Sequence, residues 1–196
     1  MIINKDCNRN FVPDIKIEYN TPVPLIQVLR DLKAKEQHEH RMQDSSLDVF
    51  IKNVAKDEVL SSNKVKKYVQ KGSSAIAFET PDGDILKLSI GNHFPMSRPQ
   101  ENFDVPIKKQ GRSGKVFYYL EEKLYQHGLS EGFVEVIREK IKENGYRPSD
   151  LDDYDIHQIG MSKDGKLYLL DPECARYKTI FHALFDKITH LLKLRK

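Results

Sequence analysis

The sequence predicts an α+β fold: two helices, a five-stranded antiparallel sheet, a third helix, a hairpin and a terminal helix. Apolar residues recur at three- and four-residue steps up to about residue 60. From residue 64 the period shortens to two, in β-branched runs broken by turn chemistry. After Ser130 the helical period returns, interrupted by one short apolar hairpin.

Residues 1–22, with Pro13 and Pro22 among scattered polar residues, read as an irregular or short extended leader. Leu25, Ile26, Val28, Leu29 and Leu32 then form one face of a helix from Pro24 to about Met42, ending in the polar run KAKEQHEHR. His38 and His40 stand two apart, on different helical faces, and read as surface histidines instead of metal ligands. Ser45 or Ser46 caps a second short helix carrying Leu47, Val49, Phe50 and Val54.

VKKYVQ, SSAIAFET and DILKLSI read as a three-stranded antiparallel meander over residues 64–90, with PDGD at 81–84 as the tight turn before the third strand. FDVPI (103–107) and KVFYYLEEKLY (115–125) are the fourth and fifth strands, joined by the turn-rich KKQGRSG. EGFVEVIREKIKENGY places Phe133, Val134, Ile137 and Ile141 on one helical face and stops at Asn144-Gly145. QIGM and LYLL make a hairpin around Lys163-Asp164-Gly165-Lys166, and KTIFHALFDKITHLLKLRK reads as a helix packed on that hairpin. Its basic, amphipathic character makes membrane-surface contact the alternative.

Composition narrows the function classes. The formal net charge is +3, with the basic residues spread along the chain, so nucleic acid has no electrostatic footprint. Cys7 and Cys174 fit neither a disulfide framework nor a zinc ligand spacing, and a reducing compartment suits them. The N-terminus lacks the basic and apolar regions of a cleaved secretory signal, and no apolar run reaches the ~18 residues of a membrane span. The expectation is a protein made in the cytoplasm, with export by a route that leaves no cleaved signal still open.

The chemistry concentrates in two stretches. Gly72, Ser73, Ser74 and Ala75 form a small-residue loop between strands, open enough for backbone N–H groups to approach phosphate oxygens. Ala77 then caps an apolar slot sized for an adenine. Alternation in ILKL turns Lys87 to the face opposite Leu86 and Leu88, where an ammonium needs an anion. In the second stretch, DLDDYDIHQIGMSKDGKLYLLDPE, the hairpin brings Gln158 and Asp171 together at its open end, with Asp153 just before them. Two carboxylates and an amide at one spot suit a magnesium ion and a hydroxyl nucleophile.

This order of parts resembles the protein-kinase and aminoglycoside-phosphotransferase superfamily, most specifically over residues 153–171 and more loosely over 64–176. QIGMSKDGKLYLLDPE also resembles the NIGxxxDGxLxLLDP form of phage and bacterial kinase-like proteins. The resemblance implies a two-lobe kinase-like fold with a five-stranded N-lobe sheet at about 61–122 and a reduced helical C-lobe at about 123–196, after a leader and helical extension at 1–60. It implies ATP and Mg2+ as cofactors, with Gly72, Ser73, Ser74, Ala77 and Lys87 around the nucleotide. Gln158 stands at the metal-binding Asn position and Asp171 at the DFG-type Asp. Asp153 is the catalytic Asp; Asp155 takes that role in a shorter register, which leaves Gly160 where the amide belongs.

The chain departs from the family pattern in using Gln for Asn and Asp-Pro-Glu for DFG. Only 15 positions separate Leu88 from Phe103, too few for the helix that ordinarily supplies a Glu to the lysine, so Glu101, Glu58 and Glu36 are the candidate partners. Only 25 residues follow Asp171, which resembles the compact kinases that pathogenic bacteria inject into host cells and implies a host protein as acceptor. The alternatives are a pseudokinase that serves as a binding module, and a kinase-like enzyme that transfers AMP or phosphorylates a small molecule.

Overall fold

The computed structural model describes residues 15–38, 45–71, 75–90, 100–149, 151–152, 155–171 and 174–177. Within them the chain is α+β, with four helices and a six-stranded antiparallel sheet. The order is β1 (Glu18–Pro24), α1 (Leu25–His38), α2 (Ser45–Val54), α3 (Glu58–Ser62), β2 (Lys64–Lys71), β3 (Ala75–Glu79), β4 (Ile85–Ile90), β5 (Ile107–Ser113), β6 (Val116–Glu121), α4 (Glu131–Glu143) and β7 (Tyr146–Pro148). A 3-10 turn (Ile156–Gln158) then leads into β8 (Ile159–Met161), β9 (Leu167–Leu169) and β10 (Ala175–Tyr177). The leader's residues 1–14, the expected C-terminal helix from residue 178, His40 and the side chain of His38 lie outside what is described.

The sheet has six strands, not the five expected, because part of the leader joins it. β1 pairs with β2 through Val23↔Val65 and Pro24↔Lys64. Pro22 and Pro24 lack the N–H that an inner strand must donate, and β1 is accordingly an edge. The meander β2–β3–β4 forms as the alternation predicts, with Ala75↔Ser89, Ala77↔Lys87 and Glu79↔Ile85 in register.

The second correction concerns β5. The stretch expected to turn, KKQGRS, is itself strand, whereas Phe103 to Pro106 contributes only an isolated bridge at Asp104. β5 is the other edge and carries mostly exposed polar side chains, so it shows no apolar alternation to read. Its Gly111 admits the Tyr118 ring: a Cβ there would meet the Tyr118 hydroxyl at 2.3 Å. The turn shrinks to Gly114, at φ +58, and Lys115.

The strand order is β1-β2-β3-β4-β6-β5. β6 slots between β4 and β5, so Lys87 is flanked by Ala77 of β3 and Tyr119 of β6. One sheet face packs on α1 and α2 through Ile76, Phe78, Leu86, Leu88 and Val116 against Leu25, Val28, Leu29, Leu32 and Phe50. A fully buried Leu or Phe contributes about 1.5–3 kcal/mol, against a few tenths for most differences in helix propensity, so this packing fixes the helices in place. The opposite face of β3, β4 and β6 carries Ala77, Lys87, Tyr119 and Glu121.

A second core joins α4, through Val134, Ile137 and Ile141, to Phe103, Tyr146, Leu151, Ile159 and Leu169. Backbone bonds seat the β8–β9 hairpin between the segments entering β5 and leaving β6: Leu169 N–H donates to Phe103 O at 2.7 Å, and Tyr125 and Met161 exchange bonds of 2.8 Å. The hairpin therefore reaches the polar face of the sheet from below.

Candidate functional site

Lys87 sits at the centre of that polar face. Its ammonium forms a salt bridge with the Glu121 carboxylate, lies 5.8 Å from the centroid of the Tyr119 ring and donates to the Leu170 carbonyl at 3.3 Å. The last bond spans 83 positions of sequence and links the sheet to the end of the hairpin. Leu170 immediately precedes Asp171, so this contact brings the strand lysine to the backbone next to the post-hairpin aspartate.

At the hairpin's open end, Ile159 pairs with Leu169, and Leu170 N–H donates to Gln158 O at 2.8 Å. Gln158 and Asp171 thus flank one backbone junction, both partly buried. Asp171 is fixed on its C-terminal side, where its carbonyl accepts from Cys174 N–H at 3.1 Å.

Gly160 has a specific reason to be Gly. A Cβ there would stand 2.6 Å from the Cβ of Leu124, an atom that cannot swing away. Gly160→Ala is expected to push β8 off Leu124 and lower stability by about 1–3 kcal/mol, the usual range for overpacking a filled core. Urea denaturation measures the loss, and an unchanged midpoint would show that the hairpin is not seated as described.

Of the remaining predicted residues, Ala77 is buried on the Lys87 face. Gly72, Ser73, Ser74 and Asp153 lie outside the described residues. Asp155, the alternative catalytic Asp, is occupied locally. Its Oδ2 accepts from Asp152 N–H at 2.7 Å, its carbonyl accepts from Gln158 N–H at 2.8 Å, and its Oδ1 lies 3.8 Å from Nε2 of His157. That carboxylate builds the turn that presents Gln158.

None of the three expected partners is seen to pair with Lys87, and two of them are engaged elsewhere. Glu36 pairs with Lys71 at 2.6 Å, Glu101 accepts the Tyr146 hydroxyl at 2.7 Å, and Glu58 stands in the first turn of α3. The actual partner is Glu121, whose side chain is 4 % exposed. Burial pushes its carboxyl above the ordinary carboxylate range, and the Lys87 ammonium draws it back only in part. Sequence reasoning missed Glu121, yet period two in FYYLEE already places Tyr119 and Glu121 on one face.

A cavity of about 230 Å³ opens on the other face of the sheet, lined by Asn63, Lys64, Thr80, Leu86, Lys109 and Tyr118. It contains none of the predicted groups, and the chemistry of the Lys87 face outweighs its volume. Among the described residues, no group of three or more His, Cys, Asp or Glu is gathered as a metal site. No helix among them is long and apolar enough to cross a membrane. No protein-family model matches the chain, and no curated protein matches it.

Proposed function

We propose that the chain is an ATP- and Mg2+-dependent phosphotransferase of minimal protein-kinase-like, two-lobe design, acting on a Ser or Thr hydroxyl of a protein, with a host protein of a secreted effector as the acceptor implied by the resemblance. The observation that carries this reading is the contact between Lys87 and the Leu170 carbonyl, which sets a strand cation beside Asp171 across the junction of sheet and hairpin. The donor set suits the metal: Asp171 and Gln158 offer carboxylate and amide oxygens, the hard ligands that magnesium prefers. Bound there, the ion would neutralise charge on the phosphates.

In this reading Lys87 holds the α- and β-phosphates, and Ala77 and Tyr119 border the adenine side of the cleft. The acceptor oxygen bonds to the γ-phosphorus as the bond to the β–γ bridging oxygen breaks, ADP leaves, and Asp153 takes the hydroxyl proton. Incubation with γ-labelled ATP and Mg2+, alone and with a cell lysate, tests it. Label is expected on a protein hydroxyl with wild type and not with Asp153→Ala, whereas AMP left on the acceptor, seen by mass, would point to the other transfer.

A second reading, nucleotide binding without transfer, is favoured by Gln158, which is one methylene longer than the Asn of the family motif. Magnesium-dependent ATP binding with no label transferred to any lysate protein would select it.

A further inference from the structure

Glu121 lies at the end of β6, opposite Ile85 of β4 and Ile107 of β5, in the interior of the sheet. Lys87 lies opposite Tyr119, two positions earlier on β6, so the carboxylate reaches the ammonium along one sheet face without crossing to another element. Both backbones are pinned by ladder bonds on either side, because β4 sits between β3 and β6, and β6 between β4 and β5. A contact of this kind cannot open by a helix swinging away.

We propose that Glu121 is the positioning residue for the nucleotide-binding lysine, supplied by the sheet itself, so that Lys87 is permanently aimed and no conformational step switches it on. This inference rests on the phosphotransferase reading above. Lys87 has three N–H donors; Glu121 and the Leu170 carbonyl take two, which leaves the third direction for a phosphate oxygen. The Glu121 bond is charge-assisted and the stronger of the two. A neutral group at 121 leaves a largely buried ammonium without a counter-ion, and Lys87 then turns toward solvent, away from the phosphate position.

The assay compares the affinities of adenosine and ADP for the full chain, measured calorimetrically. Wild type is expected to bind ADP more tightly than adenosine, because only ADP reaches Lys87. Glu121→Gln keeps the size of the side chain and is expected to lose about tenfold in ADP affinity, the effect of about 1.4 kcal/mol, with adenosine affinity unchanged. In a Lys87→Met background the same Glu121→Gln change is expected to cost nothing further, since Glu121 acts only through the lysine.

Unchanged or tighter ADP binding by Glu121→Gln would overturn the proposal, the latter by making Glu121 a competitor for Lys87. Parallel losses of adenosine and ADP would make its role structural and overturn it too. If wild type does not distinguish ADP from adenosine, Lys87 is not a phosphate contact and the phosphotransferase reading fails first, taking this inference with it. Should Glu121→Gln not fold, Glu121→Asp, which keeps the charge on a shorter arm, is expected to show an intermediate ADP loss, and the absence of one contradicts the proposal.

Discussion

Lys87→Met is expected to abolish phosphoryl transfer and to lower folding stability by about 3–5 kcal/mol, the usual penalty for leaving one partner of a buried pair alone. Glu121 is the stranded partner, at 3 % exposure. Replacing both residues, as Lys87→Met with Glu121→Leu, is expected to recover most of that stability and none of the transfer, since apolar groups of similar volume need no counter-ion. Urea denaturation of the three proteins measures the first effect and label transfer the second. A single variant as stable as wild type would contradict the pairing.

The pH dependence follows with its sign. Burial raises the Glu121 carboxyl above its ordinary value of 4.5, so the native state binds that proton more tightly than the unfolded state. The resulting stability is fully present below the unfolded carboxyl range and is lost as pH rises through the native value. In Lys87→Met the lowering influence of the ammonium is gone, so the decline that begins above the ordinary carboxyl value is expected to extend to higher pH than in wild type.

Asp171→Asn is the second large effect. The side chain keeps its shape, and the carbonyl bond to Cys174 N–H is untouched, so the fold is expected to persist, which the far-UV circular dichroism of the variant checks. Transfer is expected to fall about 10²- to 10³-fold, because a metal ligand contributes several kcal/mol to charge stabilisation and each 1.36 kcal/mol is a factor of ten. Single-turnover label transfer checks it, and wild-type rates would contradict the proposed metal-binding role of Asp171.

Much of this arrangement was legible in the chain. Alternation in ILKL put Lys87 opposite Leu86 and Leu88, and both leucines are buried against the helices while the lysine is not. KDGK fixed the hairpin, and the hairpin fixed Gln158 against Leu170. The two misread strands share one physical cause, which is that edge strands need no apolar pattern. β1 uses prolines and β5 uses Lys, Gln and Arg, so neither differs from a loop in composition. Glu121 escaped for another reason. A buried carboxylate is legible only through its counter-ion, and that pairing depends on β6 inserting beside β4, a choice of strand order that local periodicity does not encode.

The most direct test of the site is a titration of the wild-type chain and of Asp171→Asn with ATP, each with and without Mg2+. If Lys87, Gln158 and Asp171 hold a metal–nucleotide complex together, Mg2+ tightens ATP binding to wild type and has no such effect on Asp171→Asn. ATP binding that ignores Mg2+ in wild type, or that responds to it equally in both proteins, would contradict the convergence of these residues on one nucleotide.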